Sequence, residues 1–170
     1  AGMINDVRAL QEPGALAACA SLSVPICLMH MQGEPRTMQQ NPQYGDVVWD
    51  VYRFFKARIQ ACETAGIERE RLILDPGFGF GKTLQHNVAL LFQLRELRRL
   101  NLPLLAGLSR KSMIGALLGG APVEQRVQGS VTAAMMAAMN GASIVRVHDV
   151  KETVEAMRFY NAAFHVWIEC

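Results

Sequence analysis

A carboxylate at the end of an apolar run is the first feature that asks for a chemical explanation. In LILDPGFGFGKT, Asp75 closes a stretch of strand-forming side chains, a place where an ionised group is rare without a partner. A flexible loop after a buried strand would leave that carboxylate unexplained, so Asp75 is read as a functional residue able to accept paired donors. The residues after it nearly spell a phosphate-binding loop ending in Lys82 and Thr83. Gly77 and Gly81 bracket three residues where that motif needs four, two of the three are Phe78 and Phe80, and no helix is expected directly after Thr83, so the motif is rejected.

Cations supply the next candidates. In SIVRVHDV, Arg146 and His148 lie two residues apart, so on a strand both project to one face while Val145 and Val147 take the other. A guanidinium fork beside a second donor suits phosphate oxygens. The same pair also reads as an arginine satisfied by a structural carboxylate next to a core histidine, and these residues alone leave both readings open. GLSRKSMIG places Ser109, Arg110 and Lys111 where a strand gives way to a helix. Basic residues there are usually just solvated, but a cation at a helix start opposes the helix dipole, which favours ligand binding for Lys111. His30, in CLMHMQG, has no His, Cys or carboxylate at metal-ligand spacing and reads as a satisfied core or loop histidine. His86 and His165 read as surface residues, and Met135, Met136 and Met139 as helix packing. No nucleophile, base and acid signature appears.

These groups need elements to carry them. Five short runs rich in Ile, Val and Leu occur at 3–5, 25–31, 72–75, 104–108 and 143–147, each followed by a helical pattern. The clearest helix covers about 46–65, where Val47, Val51, Phe54, Phe55, Ile59 and Cys62 form a stripe and Gly66 marks the stop. Pro13 opens an Ala-rich turn of helix, Asn87 is expected to cap a stretch carrying Leu90, Leu91, Leu94 and Leu97, and Arg126 leads into a Met- and Ala-rich segment. Asp149 followed by Glu152 resembles a capping box, with Val150, Val154 and Met157 as the expected buried face. Apolar strands alternating with helices imply a parallel sheet covered by helices. Every run ends C-terminally in groups able to do chemistry: Asn5 and Asp6, His30 and Gln32, Asp75, Ser109 to Lys111, Arg146 and His148. Several consecutive strands serving one face is the barrel-enzyme arrangement, whereas a doubly wound sheet concentrates its site at a switch point.

Composition sets the bounds. With 170 residues, 51% hydrophobic and 19% charged, the chain has the balance of one globular domain able to bury a core. A net charge of +2, with Lys and Arg scattered, gives no footprint for nucleic acid, and a phosphorylated small molecule fits better. Cys19, Cys27, Cys62 and Cys170 show no paired spacing and no leader is apparent, so a reducing cytoplasm is expected. The apolar stretch 131–139 stops at Asn140 and Gly141, short of the roughly 20 residues a bilayer span needs, and no membrane partner is expected.

Taken in order, INDV, CLMHMQG, ILDPGFGFGK, GLSRKSMIG and RVHDV resemble the last five strand ends of the dihydropteroate synthase family, covering about residues 1–158. The tail FYNAAFHVWIEC departs from the family pattern. The resemblance implies a partial (β/α)₈ TIM barrel, about the last five βα units (strands 4 to 8), with residues 1–170 as one partial pterin-binding domain and strands 1 to 3 absent. It implies condensation of 6-hydroxymethyl-7,8-dihydropterin pyrophosphate with 4-aminobenzoate to give dihydropteroate, the step sulfonamides compete for. Lys111, Arg146 and His148 would be catalytic; Asn5, Met29, Asp75, Phe80, Ser109 and Arg110 would join them in binding substrate. Within that set Asp75 would accept the N–H and amino donors of the pterin, Asn5 and Lys111 would bond other heteroatoms, Met29 would pack on the ring, Arg146 and His148 would hold pyrophosphate, and Phe80, Ser109, Arg110 and Lys111 would border the 4-aminobenzoate pocket. Mg2+ is implied as cofactor, with its family ligand, an Asn after the first strand, absent here, as are pterin-contacting Asp residues and a closing loop. The full-length form is expected to be a homodimer. A five-stranded remnant leaves two open edges, so the isolated chain is expected to be inactive. The reading from a different class is a non-catalytic, pterin-binding or self-associating half-barrel.

Overall fold

The computed structural model describes residues 2–34 and 36–168, with the backbone alone of 165–168. The side chain of His165 and all of Cys170 fall outside these residues. Strands and helices alternate: β1 (Ile4–Asp6), α1 (Ala15–Ala20), β2 (Ile26–Met29), α2 (Val47–Thr64), β3 (Leu72–Asp75), α3 (Leu84–Phe92), β4 (Leu105–Ala106), α4 (Ser112–Leu117), α5 (Val127–Met139), β5 (Ile144–Val145) and α6 (Val150–Ile168). β1 pairs with β2, β2 with β3 and β4 with β5, all parallel, and a parallel bridge between Leu74 and Leu104 joins the two groups. The strands therefore stand side by side in chain order, as in a barrel wall; a doubly wound sheet would reverse direction at a switch point.

The wall is also curved. Four inter-strand steps in a flat sheet would separate β1 from β5 by about 19 Å, yet Arg146 Nη1, just past β5, donates to Asn5 Oδ1 on β1 at 3.3 Å. Strand alternation sorts the side chains on either side of this curve. Ile26, Leu28, Leu72, Leu74, Leu104 and Ala106 join the large core beneath the helices, while Cys27, Ile73 and Leu105 form a small separate cluster on the concave side. The result is part of a (β/α)₈ barrel. β2, β4 and β5 are shorter than their apolar runs, and beyond β5 side chains replace ladder partners: the His148 amide donates to Ser109 Oγ at 3.1 Å.

Local chemistry explains the helices. The Asp46 carboxylate accepts from the Val48 and Trp49 amides and starts α2, whose buried face is Val47, Val48, Val51, Phe55, Ile59 and Cys62. Several expectations need correction. α3 does begin directly after Thr83, which caps it in a reciprocal box with His86, so His86 is a capping residue, and Asn87 is buried inside the helix instead of capping it. Val150 and Val154 on α6 are exposed because they line an open groove of about 480 Å³ beside β5, and Thr153 is the buried residue there. Met139 is exposed as well, since α5 packs through Ser130, Ala133, Ala134 and Ala137, whose small side chains bring the helix close.

Candidate active site at the strand ends

The parity that points Cys27, Ile73 and Leu105 to the concave side carries forward along each strand. Met29 pairs in register with Asp75, and the same alternation puts Gly107 and Arg146 on that side, one step above Leu105 and Ile144. The chemistry-bearing residues thus rise from the inner cluster to the mouth formed by the strands' C-terminal ends.

Asp75 is 1% exposed, and both of its oxygens are held: the Gly77 amide donates to Oδ1 at 2.8 Å and Arg146 Nη2 to Oδ2 at 2.9 Å. Because Arg146 also reaches Asn5, one guanidinium ties the ends of β1, β3 and β5. It can lie there because residue 107 is glycine; a Cβ at that position would stand 2.6 Å from Arg146 Nη2. Gly107, Ser109, Lys111, Arg146, Val147 and His148 line a cavity of about 170 Å³. On its rim Lys111 donates to the Phe78 carbonyl and places its ammonium 4.8 Å from the centre of the Phe80 ring. Burial pushes Lys111 down to about 8, against the pull of Asp75 and reinforced by the Arg146 charge. His148 Nδ1 lies 3.0 Å from Ser109 Oγ, which fixes the ring over the cavity.

The expected residues do not all share one surface. Asn5, Asp75, Lys111, Arg146 and His148 meet around Arg146 and the cavity, with Ser109 behind His148 and Phe80 beside Lys111. Met29 lines a neighbouring cleft of about 240 Å³ with Arg8 and Glu34. The Arg110 guanidinium turns away into a forked pair with Asp149, Nε to Oδ2 at 3.0 Å, and holds that carboxyl below its ordinary range. Asp149 is thereby spent on an ion pair instead of the capping box its sequence suggests. Arg110 itself has a left-handed backbone (φ 57°), clamped by Ser130 Oγ on its amide and by Arg126 on its carbonyl.

Two contributors escape sequence reasoning. Gly107 stands at an inward strand position opposite Arg146, a signal only once the register is known. Lys82 is 3% exposed, with its Nζ 2.9 Å from His30 Nδ1 and donating to the Gly77 and Phe80 carbonyls at 3.0 Å each. Burial pushes Lys82 down to about 7 and, with the Lys82 charge, His30 down to about 3. The loop amides are spent internally, Gly77 on Asp75, Gly79 on Asn87 and Phe80 on the Gly77 carbonyl, so this is no phosphate nest even though a helix follows.

Comparison with known proteins bears on what this mouth receives. The sequence pattern described as "Pterin binding enzyme" matches residues 1–148. The chain belongs to the pterin-binding enzyme family. Within the family, it is 60% identical over 162 residues to dihydropteroate synthase of Escherichia coli K12, covering 95% of this chain and 57% of that protein. The structure superposes on Yersinia pestis dihydropteroate synthase in a sulfonamide drug complex with a TM-score of 0.94 at 57% identity, covering 98% of this chain and 60% of that one. Against Xanthomonas albilineans dihydropteroate synthase in complex with 7,8-dihydropteroate the TM-score is 0.90 at 53% identity, covering 96% and 59%. This chain therefore spans rather less than two thirds of these family members. Among its described residues, no helix is long and apolar enough to cross a membrane.

Two outcomes are expected from this geometry. Gly107→Ala displaces only the flexible end of Arg146, so the fold persists while a crystal structure of the variant shows the Asp75–Arg146 bond broken. Lys82 and Lys111 sit near 7 and 8 when folded against 10.5 unfolded, so the unfolded chain binds more protons over that window. Stability rises with pH from about 7 to about 10 and levels off below, and urea midpoints read this directly; in Lys82→Met the rise is smaller.

Proposed function

We propose that the working protein containing this chain is a dihydropteroate synthase, which condenses 6-hydroxymethyl-7,8-dihydropterin pyrophosphate with 4-aminobenzoate, and that residues 1–170 form part of its pterin-binding barrel domain. The observation that carries this is the convergence of Asp75, Asn5, Lys111 and His148 about the Arg146 guanidinium at one mouth. In the reaction the methylene carbon–oxygen bond breaks and its electron pair leaves with pyrophosphate. The arylamine nitrogen forms the new bond to carbon and gives up one proton. Asp75 is buried and offers two oxygens to the adjacent N–H and amino donors of the pterin, with Arg146 and the Gly77 amide holding its plane in advance. Lys111 and Asn5 would bond other ring heteroatoms, and Met29, in register with Asp75, would pack on the ring face.

Arg146 and His148 are the donors for the departing pyrophosphate, and charge growing on its bridging oxygen is where such donors lower the barrier. The Arg146 guanidinium is partly exposed, so it can turn from Asp75 to an anion without crossing the core. Phe80, Ser109 and Lys111 would border the 4-aminobenzoate pocket, with Arg110 acting from its Asp149 pair. The described residues contain no cluster of three His, Cys, Asp or Glu able to hold a metal, and Asp75 is already taken. They do not fit a magnesium site, so the Mg2+ suggested by the family would be held by groups outside this chain, and no step above runs through it.

The same reading makes the working form a homodimer. An apolar groove of about 430 Å³ between α3, α4 and α5, with Phe92 and Leu117 more than half exposed, supports it. Free, buried Cys19, Cys27 and Cys62 support a reducing, cytoplasmic setting.

Calorimetric titration of the chain with 6-hydroxymethyl-7,8-dihydropterin should show binding that weakens at least about 100-fold in Asp75→Ala, roughly 2–3 kcal/mol for a lost charge-assisted pair. Arg146 is partly solvated, so that variant keeps its circular dichroism. Absence of binding by the parent chain at millimolar ligand would sink the pterin reading. Catalysis is a separate matter: the purified 170-residue chain should form no dihydropteroate above a blank, because it spans only 57% of its relative's length.

A further inference from the structure

Lys82 is buried and assigned no part in the chemistry above. Its acceptors come from two strand ends, His30 following β2 and the Gly77 and Phe80 carbonyls of the loop following β3. The His30 carbonyl is a fourth, longer contact at 3.5 Å. This loop is pressed against its neighbour. Gly77 and Gly81 both have left-handed backbones, and a Cβ on either would collide with the carbonyl of His30 or Gln32. Carbonyl oxygens crowded toward one dry spot repel each other unless a donor with several hydrogens sits between them, and an ammonium supplies three.

The same few residues carry the site's polar groups. The Gly77 amide holds Asp75 Oδ1, the Phe78 carbonyl accepts from Lys111, and the Phe80 ring lies by the Lys111 ammonium. Lys82 and Lys111 thus grip one stretch of backbone, and of the two only Lys111 lines the cavity.

We propose that Lys82 is a positioning residue, an internal staple whose hold on the Gly77 and Phe80 carbonyls and on His30 fixes the loop that aims the Asp75 carboxylate and the Lys111 ammonium. Its ligand readout rests on the pterin reading, but its structural readout does not. The titratable groups facing Lys82 are His30, Asp75 and Lys111. His30 stays neutral at ordinary pH, so with Lys82 charged its Nδ1 accepts; with Lys82 neutral the other tautomer can donate to the amine. Opening the loop to water returns Lys82 to an ordinary lysine, which binds a proton more readily. Opening is therefore harder at high pH.

The test uses the 170-residue chain with Lys82→Met, which removes the ammonium, and Lys82→Arg, which keeps the charge and loses the compact three-hydrogen head. Amide hydrogen exchange at Gly77, Gly79 and Phe80 should speed up at least tenfold in both, while Leu28 and Leu74, inside β2 and β3, stay within twofold. The affinity for 6-hydroxymethyl-7,8-dihydropterin should fall at least tenfold alongside. Loop exchange within twofold of the parent in both variants overturns the proposal, and restoration by Lys82→Arg reduces it to a charge effect and overturns the staple. If neither variant folds, the parent chain decides: exchange at Gly77, Gly79 and Phe80 at least tenfold slower than in an unstructured peptide supports a held loop, and exchange within twofold of such a peptide overturns it. A parent chain that binds no pterin defeats the functional reading alone, since the exchange comparison still decides on Lys82.

Discussion

The bond between Arg146 and Asp75 organises the mouth of this barrel. A carboxylate 1% exposed is costly to desolvate, and its stability depends on a cation and an amide presented from different strands. Meeting that need fixes several other things at once. β5 has to stand near enough to β3 for the guanidinium to reach, residue 107 has to lack a side chain, and the remaining arm of the fork falls on Asn5. The curvature of the wall and the composition of the site are in this sense one constraint.

Around that bond the site uses burial to set its charges. Lys111 and Lys82 both donate to carbonyls of one loop, both pushed toward neutrality by loss of water and both drawn back by Asp75. Arg110 follows a different logic: its partner Asp149 keeps it fully paired and turned aside. Adjacent basic residues at one strand end therefore have separate duties, one facing the cavity and one tying the loop to the start of α6.

The alternation of apolar runs and helices was readable because parallel strands buried on both faces are apolar throughout, and the strand-end residues Asp75, Lys111, Arg146 and His148 stood out as polar interruptions. Helix faces were less readable. Val150, Val154 and Met139 have the spacing of buried residues, but burial depends on whether another element covers the stripe, and that is a tertiary fact. Thr83 follows glycines that fall one residue short of a phosphate-binding loop, and that pattern hides its role as the cap of α3. Lys82 is hidden by the same pattern: nothing in a lysine's local sequence says that three carbonyl oxygens will converge on it from two loops.

Strand order has a bearing on how the molecule assembles. Each pairing joins a strand to the next in the chain, so the wall can grow by short steps that each close a modest loop. The link from Arg146 to Asn5 is different, spanning 141 positions, and it can form only after every intervening strand is in place. The mouth is thus among the last parts of this structure to be completed and among the first to be lost when any strand between them loosens.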